Sequence, residues 1–112
     1  MAISNFAEKT WFFILLLAAV AFEVAGDILF KKWALAGRNI FLTGGSAIYF
    51  VGTIFWAISL RYEYLSKAIS IFTIINLITV VFAGIIFFKE DITLVNKIGI
   101  FLGIVSVMMI EF

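Results

Sequence analysis

Residues 11–30 read WFFILLLAAVAFEVAGDILF. A helix of about 20 apolar residues is long enough to cross a bilayer. This one carries Glu23 and Asp27, four residues apart, with Lys31 one turn further on. An acid at the centre of such a helix costs roughly 2.5–3.5 kcal/mol on insertion scales. Ionisable residues at that depth mark a substrate path, a proton relay or a buried partner. Positions i and i+4 share a helix face, so Glu23, Asp27 and Lys31 form one acid–acid–base stripe.

The rest of the chain has the same character. Of its 112 residues 65% are hydrophobic and 13% charged, with a mean hydropathy of +1.23. That balance excludes an ordinary soluble domain. The sequence holds no proline, histidine or cysteine, which removes disulfides, His/Cys metal sites, a Cys nucleophile and a His base. No cofactor is implied. No nucleophile–base pair is visible, so the reading is not an enzyme. A net charge of +1 without a basic patch argues against nucleic acid as a partner.

Four apolar stretches fit spanning helices: about 11–35, 40–60, 65–88 and 92–112. The expected fold is an all-α membrane protein, one four-helix transmembrane domain over 1–112, with the bundle completed by dimerisation. Residues 11–25 could pass for a signal peptide, but the apolar run continues and three more follow. Short connections make successive helices antiparallel neighbours. They are Ala36-Gly37-Arg38-Asn39, Arg61-Tyr62-Glu63-Tyr64 and Lys89-Glu90-Asp91. Asp91 or Thr93 can cap the last helix and Ser66 the third, and Gly37 suits a helix C-terminus. Four spans put both termini on one side. Lys9, Arg61 and Lys67 then face Lys31, Lys32, Arg38, Lys89 and Lys97 across the membrane. The positive-inside rule weakly favours cytoplasmic first and third connections and permits insertion both ways round.

Each helix carries a face of interest. In the first, Ala19, Glu23, Gly26 and Asp27 share a surface, where small residues permit close approach or leave room for a ligand. The acids either face a cavity or pair with Lys31, Lys67 or Arg61. In the second, Tyr49 and Trp56 share a face at i, i+7, as an aromatic wall for a cation or as packing. The third has a polar stripe of Ser66, Ser70, Thr73, Asn76 and Thr79, either a cavity wall or interhelical hydrogen bonding. The fourth has Gly99-x-x-x-Gly103 and Ser106, a close-crossing pattern that makes it the candidate dimer interface or else serves packing within the protomer.

The segment Phe22-Glu23-Val24-Ala25-Gly26-Asp27-Ile28-Leu29-Phe30-Lys31 resembles the first helix of the small multidrug resistance family, within the drug/metabolite transporter superfamily. The resemblance runs from about Phe12 to Ile110. It implies that Glu23 is the carboxylate binding protons and cationic substrate in alternation. It also implies a binding-site tyrosine at Tyr49, an aromatic at Phe72 where the family has tryptophan, and a dimerising fourth helix with Gly99 and Ser106. The chain departs from the family at Ile74-Ile75-Asn76, where a Gly-x-Gly bend is usual, and at Ile69, where a tyrosine is usual. It also lacks the helix-2 to helix-3 proline and adds Asp27. Ser59-Leu60-Arg61-Tyr62 and Phe88-Lys89-Glu90-Asp91-Ile92-Thr93 are similar to motifs of the wider superfamily.

These readings give a proton-coupled exporter of small or hydrophobic cations, working by alternating access. Glu23 is the shared proton and substrate site, and Glu23 and Asp27 titrate as a coupled pair. Lys31, Ser70, Thr73 and Asn76 complete the candidate binding residues. The expected partners are the substrate, protons, the lipid bilayer and a second subunit. That subunit is a second copy, antiparallel or parallel, or a related chain. The resemblance implies an integral protein of a prokaryotic cytoplasmic (inner) membrane. The competing readings are a flippase for a polyprenyl-phosphate-linked sugar or other lipid head group, and a non-transporting membrane subunit.

Overall fold

The structure, a computed structural model, describes residues 6–111, with side chains to 110. It is all-helical: α1 Phe6–Ala36, α2 Asn39–Ser59, α3 Leu65–Phe88 and α4 Leu94–Glu111. α1, α2 and α3 are long and apolar enough to cross a membrane, and α4 is a shorter apolar helix. A chain with three such helices reads as an integral membrane protein. α1 starts five residues before the expected Trp11, because Phe6-Ala-Glu-Lys-Thr contains no helix breaker. α4 starts at Leu94 and not at residue 92. Its expected end at Phe112 lies outside the described residues.

The helix ends follow from local chemistry. Gly37 has φ +73° and its N–H donates to the Trp33 carbonyl at 2.7 Å. That is the left-handed stop which glycine makes at least cost. Beyond α2, the N–H groups of Leu60, Arg61 and Tyr62 donate in turn to the carbonyls of Ala57, Ile58 and Ser59, a tightened last turn. The Tyr64 N–H donates to Glu63 Oε1 at 2.9 Å. Ser66 is not the cap, because α3 already begins at Leu65. It lies inside α3, and its carbonyl accepts from Ser70 Oγ at 2.8 Å. Of the two capping candidates for α4, Thr93 takes the position: its Oγ1 accepts the Asn96 N–H at 3.1 Å, which satisfies one of the orphan donors of the first turn.

The chain divides into two compact units, the first through Tyr64 and the second from Leu65. The first is the antiparallel pair α1–α2. Its buried α1 residues include Phe12, Leu16, Ala19, Glu23 and Gly26, spaced four, three, four and three apart, as a packed helical seam requires. The second unit is the pair α3–α4. Ile100, Gly103, Val107 and Ile110 are half-buried, while every other α4 side chain described is exposed. They too follow a three–four–three rhythm. At the junction Lys89 takes φ +52° and the Glu90 N–H returns to the Gly84 carbonyl at 3.2 Å.

Candidate functional site

The acid stripe of α1 does not meet one environment. Glu23 is buried, at 7% exposure. Asp27 is half-buried and Lys31 is exposed. Among the described residues neither acid has a cationic partner within ion-pair distance, so the pairing alternative is not what the first unit shows. Each acid lies within the electrostatic reach of the other and of Tyr49.

What surrounds Glu23 is a seam of small residues. A Cβ built on Gly52 of α2 would stand 2.8 Å from Glu23 Cγ, 3.1 Å from the Ala19 carbonyl and 3.1 Å from Phe22 Cβ. One turn pair away, a Cβ on Gly26 would stand 3.0 Å from the Gly45 carbonyl and 3.1 Å from Tyr49 Cβ. Glycine at 45 and 52 thus lets α2 approach α1 on both sides of the acids. Aromatic rings flank the seam. Phe22 stacks on Phe55 with centroids 5.5 Å apart, and Phe30 lies 5.9 Å from Tyr49. Tyr49 itself is 37% exposed.

The seam was only half visible in the sequence. Ala19, Glu23, Gly26 and Asp27 fall on one surface by periodicity, but Gly52 and Gly45 were not assigned to them. A signal existed. Ala19 and Gly26 are seven apart on α1, and Gly45 and Gly52 are seven apart on α2. The phenylalanines gave none, being three among 14 in the chain.

Along α1 the depth of the acid can be measured. Trp11 and Trp33 are both exposed and 22 residues apart, about 33 Å at the helical rise. Glu23 lies about 18 Å from the first and about 15 Å from the second. It is therefore near the middle of the apolar length, whereas Asp27 lies about 9 Å from Trp33.

In the second unit the polar stripe of α3 resolves into separate cases. Ser70 donates to Ser66 and Thr79 to the Ile75 carbonyl, each at 2.8 Å within the helix, so these hydroxyls are satisfied locally. Thr73 is exposed and Phe72 half-buried. Asn76 differs: its Oδ1 is buried and has no hydrogen-bond partner among the described residues. On α4, Ser106 Oγ donates to the Leu102 carbonyl at 3.0 Å. Gly99 faces open space, whereas a Cβ on Gly103 would make ordinary contact, 3.5 Å, with Ile74 of α3. Gly103 thus belongs to the packing of its own helix pair, while Gly99 and Ser106 remain exposed.

No known protein family, characterised protein or solved structure matches the chain.

Proposed function

We propose that this protein is a proton-coupled membrane transporter of small or hydrophobic cations, with Glu23 as the group that holds proton and substrate in turn. The observation that carries this reading is a buried carboxylate, midway along a lipid-length helix, with no cationic partner among the described residues of its own helix pair. Leaving a charge there without a partner is costly, and a protein gains from it only if the charge is used. A carboxylate that releases one cation to accept another offers such a use. When proton and substrate compete for one site, downhill movement of either drives the other without a further energy source. Asp27, on the same stripe, shares the load as a coupled group. The part-exposed Tyr49 offers an aromatic side chain to an apolar or cationic substrate.

In the full reading all four helices cross the membrane, and the working unit is a dimer that exchanges inward- and outward-open forms. Gly99 and Ser106 supply a small-residue face for that contact. The likeness of residues 22–31 to the small multidrug resistance family supports the same function.

The test is solid-supported membrane electrophysiology on purified protein in liposomes, wild type beside Glu23→Gln. A panel of guanidinium compounds, quaternary ammoniums and polyamines is applied under a pH step. Wild-type currents that vanish with Glu23→Gln, while the variant keeps its helical circular dichroism, are the expected result. Currents unchanged by the substitution, or silence of the intact wild type across the panel, would overturn the proposal.

A further inference from the structure

The second unit holds a groove of about 390 Å³ between α3 and α4. It is within the size range of small-molecule sites. Phe82 and Ile85 line it from α3, Ile92 from the connection, and Ile100 and Phe101 from α4. The lining is apolar but for one residue, Lys97. The lining positions of α3 and α4 each repeat at i, i+3, i+4 and i+7, so the groove runs along both helices for about 10 Å. Its walls are open: Phe82 is 58% and Phe101 63% exposed.

Lys97 sits three residues inside α4, where the helix leaves the connection. It is exposed and forms no ion pair with a described residue. The acids of the connection do not supply one. Glu90 is folded back so that its carboxylate occupies the space a Cβ on Gly84 would need, and Asp91 is exposed to the surroundings. A lysine so placed has a long apolar stem along the groove and an ammonium free to rise to its mouth.

We propose that this groove is a binding site for an anionic phospholipid of the surrounding bilayer. One acyl chain lies along Phe82, Ile85, Ile100 and Phe101, and the head-group phosphate meets the Lys97 ammonium. Two features of one site select the occupant. An apolar channel open along its length fits a hydrocarbon chain, and a single unpaired cation at its end fits a phosphate with net negative charge. A second copy of this chain would also cover the apolar walls, but it would offer no anion to Lys97 from the matching face, because Lys97 is the only charged lining residue described.

Native mass spectrometry tests the site on the full-length protein in micelles, supplied with equimolar phosphatidylglycerol and phosphatidylcholine. Wild type is expected to retain the anionic lipid roughly fivefold over the zwitterionic one, the preference a single lysine gives near anionic lipid. Lys97→Gln should bring the ratio to about one, and Lys97→Arg should keep it. Lys89→Gln removes a neighbouring charge that does not line the groove, and should leave the preference in place. Phe101→Ala should lower retention of both lipids together. Equal retention of the two lipids by wild type would overturn the assignment. So would a preference that survives Lys97→Gln, or lipid-free dimers disulfide-linked through Phe82→Cys and Phe101→Cys. None of these readouts depends on transport.

Discussion

Replacing Gly52 by alanine puts one methyl group where α1 and α2 come closest. The new Cβ would stand 2.8 Å from Glu23 Cγ, against 3.4 Å or more for an ordinary contact, so the neighbour must retreat by about 0.6 Å. Retreat is obstructed on two other sides, since the Ala19 carbonyl and Phe22 Cβ each stand at 3.1 Å and both are fixed by the α1 backbone. Overpacking of this kind costs about 1–3 kcal/mol. Alanine returns up to about 1 kcal/mol as a better helix former than glycine. The net expectation is a loss of about 1 kcal/mol. Gly99→Ala is the matched control, because a Cβ there meets nothing within 4 Å. It keeps only the propensity gain. The two variants should therefore differ by about 1–3 kcal/mol in reversible unfolding in mixed micelles, followed by far-ultraviolet circular dichroism. If Gly52→Ala and Gly99→Ala agree within about 0.5 kcal/mol, the size of an ordinary surface change, the close seam around Glu23 is wrong.

Three further outcomes follow from single contacts. Gly37→Ala should destabilise by about 1–2 kcal/mol purely through its left-handed backbone, since a side chain there has open space; Gly37→Asn should recover part of the loss in the same unfolding assay. Thr93→Ala removes the acceptor for the Asn96 N–H and should cost about 1 kcal/mol. Amide exchange should quicken at Asn96 first and leave α1 unchanged, whereas uniform quickening would contradict a local cap. Asn76→Leu removes a buried acceptor that has no partner among the described residues, so stability should hold or rise. A loss of about 2 kcal/mol would show that Asn76 has a partner in the native protein.

Much of this arrangement could be read from residue order, and the reasons are specific. With no proline in the chain, each apolar run continues until a polar cluster or the left-handed Gly37 stops it, so α3 covers the stretch its hydropathy marks out. Gly37 was readable as a stop because few other residues tolerate its backbone. Ser66 offers a capping hydroxyl by residue type alone, and only the start of α3 at Leu65, which residue order does not fix, puts it inside the helix. The face joining Glu23 to Gly26 is a matter of helical period and needs no partner to be seen. Its pairing with Gly45 and Gly52 is a matter of which helix face turns inward, which periodicity leaves open when a helix is apolar all round. The grading of the acid stripe from buried Glu23 to exposed Lys31 was hidden for the same reason. For Gly103 the spacing allows a crossing within the protomer or between subunits, and a Cβ there would stand 3.5 Å from Ile74 of α3, a neighbour that residue order cannot name.

The brevity of the α1–α2 link bears on how the chain is made. Gly52 follows Glu23 by 29 residues, and only residues 37 and 38 lie between the two helices. At typical synthesis rates the ribosome covers that distance in roughly 2–6 s. The carboxylate is thus without the helix that covers it for seconds, a short wait before both can enter the bilayer as one hairpin. Each residue added between 37 and 38 would lengthen that wait by only about 0.05–0.2 s, so the timing is set by the helices themselves and not by the link.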